Sequence, residues 1–381
     1  AITQYSGQRA ADAFKQRLND LGIKVYTLYN IEGYPSNIPL IVSDEGYGKN
    51  EYIETTRPLV VITAPGPGSG KMAACLSQLY HEHKRGIPAG YAKFETFPIW
   101  NIPLKHPVNL AYEAATADLN DVNMIDPFHL EAYGKTTVNY NRDVEIFPVL
   151  NEIFTQIYGE SPYKSPTDMG VNMAGNCIID DEACQEASRQ EIIRRYYNAM
   201  AARKTGRSSE SEVFKLELLM KQAGVTVHDR KVVDAALSYA EETGGPAAAL
   251  ELDNGKMILG KTSDLLGALS AVLLNSLKEL AGIDRHYHVI SPAAIEPIQL
   301  LKTEYLGSYN PRLHTDEVLI ALSTTAASDT AALKALEQLS KLSGCQAHTS
   351  VMLSEVDIKI FKRLGIQLTM EPRYENDHIY H

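Results

Sequence analysis

The sequence lacks the features of secreted, membrane and disulfide-rich proteins. It contains only four cysteines in 381 residues, at positions 75, 177, 184 and 345. These cysteines are too few and too scattered for a disulfide framework, and none forms a C-x-x-C pair. The first residues show no signal-peptide pattern, and no apolar run reaches the roughly 18 residues that a membrane span needs. We therefore expect a cytoplasmic protein with reduced thiols and no membrane partner.

Positive charge is also scarce. Lysine and arginine number 36 against 47 acidic residues, which gives a net charge of -11. General nucleic-acid binding needs a basic face, so this balance argues against nucleic acid as a partner. The H-E-x-x-H motif of zinc proteases is absent as well. What remains is a globular composition, with 44% hydrophobic and 22% charged residues and enough chain for two domains.

The most informative stretch covers residues 58–85 and reads PLVVITAPGPGSGKMAACLSQLYHEHKR. Its apolar start, residues 59–64, predicts a strand that ends at a glycine-rich segment. A helical stripe follows directly after Lys71, at Met72, Cys75, Leu76, Leu79 and Tyr80. A strand, a glycine loop and a helix in this order are the context of a phosphate-binding loop. Such a loop presents backbone N–H groups, a helix N-terminus and a lysine to one anion.

The glycine loop, residues 65–72, departs from the G-x-x-x-x-G-K-[ST] pattern at both ends. Pro65 replaces the first glycine, and Met72 replaces the hydroxyl residue that contacts Mg²⁺. The loop still predicts an anion as the ligand. It does not predict a specific preference for ATP, because the hydroxyl residue for Mg²⁺ is missing. The predicted contacts are Gly66, Gly68, Ser69, Gly70 and Lys71. The alternative is a tight strand-to-helix turn with an exposed lysine.

The order of strand and helix patterns predicts an α/β fold for the first part of the chain. Strands are expected at residues 23–28, 38–43 and 59–64, and their apolar runs are typical of a parallel sheet buried on both faces. We therefore predict a Rossmann-like or P-loop-like parallel sheet layered with helices in a domain of residues 1–224. Residues 86–180, which are rich in proline, aromatics and asparagine, form an irregular insertion in that domain.

A second α/β domain is predicted for residues 225–381. Asn254 and Gly255 separate two apolar runs and indicate a β-hairpin. Further strands are expected at residues 287–290, 318–323, 348–353 and 366–370, alternating with helices.

Two other groups of polar residues are candidate sites. The loop of residues 159–177 is long, and its polar side chains at Ser165, Thr167, Asp168, Asn172 and Asn176 suit a polar substrate or plain turns. Three residues are weak candidates for a metal site, namely Asp44, Asp126 and His129. Capping and turn chemistry explains these three equally well.

Several long segments make the chain similar to a bacterial family of conserved proteins of unknown function. They are VSDEGYGKNEYIETTRPLVVITAPGPGSGKM, AGYAKFETFPIWN, HPVNLAYEAATADLNDVNMIDPFHLEAYG, SPTDMGVNMAGNCIIDDEA and LGIQLTMEP. The resemblance spans essentially the whole chain and implies an additional N-terminal segment, which family members carry and this sequence lacks. Some members bear an automatic label of ATP-dependent zinc protease. The family has no established catalytic residues, so the resemblance assigns none to this chain.

The residues favour an enzyme that binds a phosphorylated metabolite or a nucleotide through residues 65–72. The expected partner is a small anion, and Mg²⁺ is the cofactor that such a ligand would bring. One alternative is a non-catalytic ligand-binding or assembly protein, and a third is a metal-dependent hydrolase. Apolar helices in the second domain suggest a homo-oligomer.

Overall fold

The computed structural model describes residues 1–66 and 68–375. Its α-helices are α1 (Arg9–Asp20), α2 (Ile38–Ile41), α3 (Lys71–Lys84), α4 (Pro107–Ala115), α5 (Pro127–Tyr133), α6 (Asn141–Tyr158), α7 (Asp181–Lys204), α8 (Glu210–Ala223), α9 (Lys231–Thr243), α10 (Ala268–Leu280), α11 (Pro292–Leu300), α12 (Thr315–Thr325), α13 (Thr330–Leu336) and α14 (Glu355–Arg363). Its strands are β1 (Ile2–Tyr5), β2 (Thr27–Tyr29), β3 (Lys93–Phe94), β4 (Asn123–Ile125), β5 (Val138–Tyr140), β6 (Gly170–Val171), β7 (Ala247–Glu251), β8 (Met257–Lys261), β9 (Gln346–Thr349) and β10 (Gln367–Met370).

The chain divides into two compact units. The first contains Ala1–Leu104 and Asp121–Ile179, and the second contains Lys105–Asn120 and the chain from Asp180 onward. Helix α4 and the long helix α7 therefore belong to the second unit. The domain boundary expected from sequence at 224/225 stays a prediction.

The first unit builds its strands into three separate two-stranded ladders. Strands β1 and β2 pair in parallel around α1, which makes a small β–α–β unit. Strands β3 and β6 pair in parallel over only two residues each, and β4 pairs with β5 in antiparallel fashion. The Rossmann-like sheet predicted for this part of the chain is not confirmed.

Two of the strands predicted from apolar runs are wrong. Residues 38–43 contain helix α2, because Pro39 in its first turn has a backbone angle suited to a helix start. Residues 59–64 belong to no strand, and the side chains of Leu59 and Val61 are 80% and 78% exposed. Pro58 and Pro65 flank this segment and lack the N–H donors that a ladder would use. A third predicted strand, residues 23–28, is shifted to Thr27–Tyr29.

Helices supply the core of the first unit. The core packs α3 against α6 and is formed by fully or nearly fully buried apolar side chains, which include Leu76, Leu79, Phe147, Leu150, Ile153 and Phe154. The positions on α6 recur at intervals of three and four residues, so one face of the helix is apolar. This packing fixes the first turns of α3 and α6, which border the site described below.

The second unit contains a four-stranded sheet in the order β10–β9–β7–β8. Strands β7 and β8 form the hairpin that was predicted around Asn254 and Gly255, with Ala249 opposite Leu259. Gly255 has a φ of 78°, which only glycine adopts readily, and the Asn254 side chain accepts a bond from the Lys256 N–H. The hairpin prediction is confirmed, and the strand predicted at residues 366–370 is confirmed as β10.

Two strand predictions in this unit are wrong. Residues 318–323 lie inside helix α12, where Val318, Ala321 and Leu322 are buried at helical spacing. That spacing outweighs the β-branched residues on which a strand prediction rests. Residues 287–290 form no strand.

The described residues thus form a mixed α/β protein in which helices predominate. None of the helices in this part of the chain is both long enough and apolar enough to cross a membrane.

Candidate functional site

The glycine loop leads directly into α3, as the sequence predicted, although no strand precedes it. Gly68 and Gly70 have φ values of 70° and 80°, in the left-handed region that favours glycine. Strand β1 holds the loop from one side, since Thr3 Oγ1 donates to Ser69 O and Gln4 Nε2 donates to Gly68 O, both at 3.0 Å. Two loop carbonyls are therefore bonded to β1. Gly70 occupies the N-cap of α3 and has no side chain that could satisfy the first-turn N–H groups.

Lys71 folds back over its own loop. Its Nζ donates to Gly66 O at 2.8 Å and lies 3.4 Å from Ser69 Oγ. These partners are neutral, and no carboxylate among the described residues lies within ion-pair distance of Lys71. The positive charge therefore adds to the partial positive charge of the α3 N-terminus. The electrostatic character of this corner is that of an anion site.

A cavity of about 1580 Å³ opens in front of the loop. The predicted anion contacts all line it, namely Gly66, Gly68, Ser69, Gly70 and Lys71. Most of the remaining wall is apolar, and side chains from β2, α3 and α6 contribute Leu28, Met72, Ile146, Val149, Leu150 and Ile153. A concave cavity with a mostly apolar wall and a few polar groups is typical of a small-molecule site.

A second group of polar residues lines the same cavity. Lys93 on β3 places its Nζ 2.5 Å from Glu95 Oε1 and 2.5 Å from the Tyr140 hydroxyl, and it also forms an ion pair with Asp143. Lys93, Tyr140 and Asp143 face the cavity, whereas Glu95 is buried behind Lys93 and does not line it. Tyr140 directly precedes α6, and Asp143 lies in its first turn, where a carboxylate is favoured by the helix dipole.

The charges of this cluster depend on one another. Burial on its own would lower the pKa of Lys93, but the carboxylates of Asp143 and Glu95 raise it, so the ammonium stays charged. Burial raises the pKa of Glu95 to about 7, with Lys93 opposing the rise and Asp143 adding to it. Burial also raises the pKa of Tyr140, which keeps the phenol neutral and able to donate. At neutral pH the cluster thus presents one cation, one neutral hydroxyl and up to two negative charges.

The structure brings together two candidate groups that are far apart in sequence, Asp126 with His129 and the loop of residues 165–168. Asp126 Oδ1 caps α5 by accepting from the N–H groups of Phe128 and His129, both at 3.0 Å. Its Oδ2 accepts from the N–H and hydroxyl of Thr167, at 3.2 and 2.6 Å. Asp126 is fully buried, and these four bonds occupy both oxygens. They fit capping and loop anchoring.

Ser165, His129 and Asp168 do not form a catalytic triad. Ser165 Oγ lies 3.0 Å from His129 Nδ1, and Asp168 Oδ1 lies 3.8 Å from the same nitrogen. A relay needs the hydroxyl and the carboxylate on opposite ring nitrogens. Ser165 is also fully buried, so a substrate has no access to it.

The other candidates lie away from the glycine loop. Asp44 forms an ion pair with Lys84 and accepts from the Tyr80 hydroxyl at 2.9 Å. Asn172 Nδ2 donates to Pro98 O at 2.7 Å, and Asn176 lies near Asn101. Of the described residues in the loop of residues 165–176, only Val171 lines the cavity. The described chain also shows no group of three or more His, Cys, Asp or Glu side chains placed to hold a metal ion.

The Lys93 cluster was not found from the sequence. A Lys-x-Glu pair in a short extended segment places both side chains on one face, which is a weak signal. Asp143 lies 50 residues farther along the chain, and nothing in the local pattern connects it to Lys93. An acid in the first turn of a helix is ordinarily explained by the helix dipole alone.

The fold and this cavity define a two-unit α/β protein with a candidate small-molecule site in its first unit. The model of the N-terminal domain of unknown function DUF1846 matches residues 1–224, and that of the DUF1846 C-terminal domain matches residues 228–380. The chain therefore belongs to the DUF1846 family.

Relatives with the name UPF0371 protein are similar over nearly the whole chain. The protein of Streptococcus thermophilus is 59% identical over 379 residues, which cover 100% of this chain and 77% of that protein. The protein of Corynebacterium diphtheriae is 60% identical over 373 residues, covering 98% of this chain and 75% of that protein. The protein of Corynebacterium glutamicum is 58% identical over 367 residues, which cover 96% of this chain and 74% of that protein. The family is uncharacterised, so these relatives give the chain a family and no activity.

Proposed function

We propose that this protein is an enzyme that binds a phosphorylated metabolite or a nucleotide, with the phosphate at residues 65–72. The observation that carries the proposal is the position of Lys71. Lys71, the first turn of α3 and residues Gly68 to Gly70 all line one cavity of about 1580 Å³. Anions bind at helix N-termini because the N–H groups and the helix dipole point toward them.

Binding would require a small rearrangement of Lys71. Its present partners are the Gly66 carbonyl and the Ser69 hydroxyl, which are neutral acceptors of the same loop. A phosphate is a stronger acceptor for an ammonium group than a neutral carbonyl. We therefore propose that the ammonium turns from its own loop to the ligand.

The proposal includes Mg²⁺ only as an ion that a nucleotide brings with it. Met72 lines the cavity at the position where phosphate loops carry a hydroxyl ligand for magnesium. A thioether is a poor ligand for this hard cation. The low use of cysteine supports a cytoplasmic location for such an enzyme. A role of residues 165–176 in binding the ligand stays a prediction.

The test is thermal stabilisation of the 381-residue chain by inorganic phosphate, ATP and sugar phosphates. We expect at least one of these anions to raise the melting temperature, and Lys71→Ala to weaken its binding about tenfold or more. Lys84→Ala is the matched control, because it removes the same charge from the other end of α3. If no anion stabilises the wild type, or both variants behave alike, the phosphate site is wrong.

A non-catalytic binding protein is distinguished from an enzyme by turnover. The protein is incubated with a bacterial metabolite extract, and the extract is profiled by mass spectrometry against the Lys71→Ala variant. Depletion of a phosphorylated compound by the wild type alone supports an enzyme. Stabilisation by an anion without any depletion supports the non-catalytic alternative.

A further inference from the structure

The cavity has two polar corners of different character. The glycine loop offers backbone N–H groups and the Lys71 ammonium, with no carboxylate paired to that lysine among the described residues. The other corner offers the Lys93 ammonium, the Tyr140 hydroxyl and the Asp143 carboxylate. Apolar side chains of α6, such as Ile146 and Val149, line the same cavity.

The charges of the second corner exclude a second phosphate as its preferred ligand. Two cations line this part of the cavity, and both already have carboxylate partners. Lys93 contacts Asp143 and Glu95, and Arg142 is paired with Asp121. Glu145 adds a further carboxylate to the wall. A dianionic phosphate placed there would meet Asp143 at close range and would be repelled. A neutral hydroxyl avoids that repulsion and can both donate to the Asp143 carboxylate and accept from Tyr140 or Lys93.

We propose that Lys93, Tyr140 and Asp143 form a subsite for the hydroxyl groups of a sugar phosphate or polyol phosphate. The inference rests on the proposed function, since the phosphate of the same molecule would lie at the loop of residues 66–71. It narrows the ligand class from phosphorylated metabolites in general to monophosphates with a hydroxylated, uncharged remainder. Hydrogen bonds from a hydroxyl to charged groups are stronger than those between neutral groups, which makes this corner selective.

Glu95 acts as a positioning residue for this subsite. It does not line the cavity, and its Oε1 lies 2.5 Å from Lys93 Nζ. The backbone of Glu95 is itself fixed, because its N–H donates to Val171 O at 2.9 Å across the β3–β6 ladder. Together with Asp143 and Tyr140, it holds the Lys93 ammonium in one place at the cavity wall.

The experiment compares phosphates that differ in hydroxyl content. Affinities of the full chain are measured by isothermal titration calorimetry for inorganic phosphate and propyl phosphate, which carry no sugar hydroxyls. They are compared with glycerol 3-phosphate, ribose 5-phosphate and glucose 6-phosphate. We expect at least one hydroxylated phosphate to bind about tenfold or more tightly than propyl phosphate.

Variants test whether the extra affinity of the hydroxylated phosphates comes from the subsite. Tyr140→Phe and Lys93→Met are expected to reduce the extra affinity of the hydroxylated phosphates by about threefold or more. Tyr140→Phe should leave the affinity for propyl phosphate unchanged, because that ligand has no hydroxyl group to place at the subsite. Tyr140→Phe removes only one oxygen atom from a half-buried side chain, so it keeps the test valid if Lys93→Met fails to fold. Lys71→Ala should weaken all of the phosphates alike.

The outcomes separate the two proposals. If hydroxylated and plain phosphates bind equally, or if Tyr140→Phe leaves the extra affinity unchanged, the hydroxyl subsite is overturned and the phosphate site at Lys71 stands. If none of the phosphates binds, or Lys71→Ala has no effect on any of them, the proposed function is overturned together with the subsite that rests on it.

Discussion

Lys93 Nζ lies 2.5 Å from Glu95 Oε1, with Lys93 on strand β3 and Glu95 directly after it. Glu95 is only 6% exposed at its side chain, whereas Lys93 is 27% exposed and reaches the cavity. The buried acid thus stabilises the lysine from behind, and the lysine faces the ligand space. Buried ionisable groups with strongly shifted pKa values cluster at functional sites, which supports the choice of this cavity.

Glu95 is expected to make the stability of the protein depend on pH. Burial raises the pKa of Glu95 from 4.5 to about 7, so between these values the folded state binds a proton that the unfolded state does not. Stability from this group is therefore present at acidic pH and is lost as the pH rises from 4.5 through 7, by about 3 kcal/mol in total. Urea unfolding at pH 4.5, 6 and 8 measures this loss.

The variant Glu95→Gln supplies the control for that titration. Glutamine does not ionise, so the variant lacks this pH-dependent loss. The wild type should therefore become less stable relative to Glu95→Gln as the pH rises. A difference that stays constant from pH 4.5 to pH 8 contradicts the raised pKa.

Gly70 is expected to tolerate a side chain poorly. It has a φ of 80°, and an added Cβ would lie 3.1 Å from the Thr3 Cβ. Gly70→Ala should therefore cost about 2 kcal/mol, from backbone strain and from displacement of β1. Gly68 has a φ of 70° but has nothing within 4 Å of an added Cβ, so Gly68→Ala carries the strain alone and should cost about 1 kcal/mol. Thermal unfolding of both variants gives the comparison, and equal losses would show that Thr3 gives way freely.

Asp126 is expected to act as a structural cap. Asp126→Ala leaves the N–H groups of α5 and the Thr167 side chain without their acceptor, at a cost of about 3 kcal/mol. The control is Asp44→Ala, which removes an exposed ion pair with Lys84 and should change the unfolding free energy by less than about 1 kcal/mol.

Chelation separates this structural role from a metal site. We expect EDTA to leave the melting temperature of the wild type and of both aspartate variants unchanged. A fall in the wild-type melting temperature that Asp126→Ala abolishes would show that Asp126 holds a metal ion, and it would favour the metal-dependent hydrolase.

Arg230 in the second unit is expected to be a large contributor to stability. It is 1% exposed, and its guanidinium donates to Thr369 Oγ1 at 3.0 Å and to the carbonyls of Gln367 and Ala347 at 2.5 and 3.3 Å. Burial lowers the pKa of Arg230 to about 10, so the cation persists at neutral pH. Arg230→Met leaves buried acceptors unpaired and should cost about 3 kcal/mol in urea unfolding.

A matched variant separates charge from geometry at this position. Arg230→Lys keeps the positive charge but cannot bond three acceptors on strands β9 and β10 at once, so we expect it to lose nearly as much stability. Wild-type stability in Arg230→Lys would show that charge alone is needed.

Local pattern was sufficient for helix α3 and for one hairpin. The stripe after Lys71 predicted α3, and Asn254 with Gly255 predicted the β7–β8 turn, because both signals depend on residues a few positions apart. The apolar runs at residues 38–43 and 59–64 led to wrong strand predictions. A strand needs a partner as well as an apolar sequence, and the partner cannot be read from the run itself.

The sequence alone determined the family, the mixed α/β class and the position of the glycine loop at the start of α3. These follow from nearest-neighbour chemistry and from long shared segments. Only the tertiary structure placed Lys93 beside Asp143, 50 residues away, and both of them on the same cavity as Lys71. It also showed that Asp126 and Thr167 bond each other. The reason is physical: packing of α3 against α6 positions Lys71 and Asp143, the β3–β6 ladder positions Lys93, and the Asp126 cap holds Thr167. All of these contacts join residues that are distant in the chain.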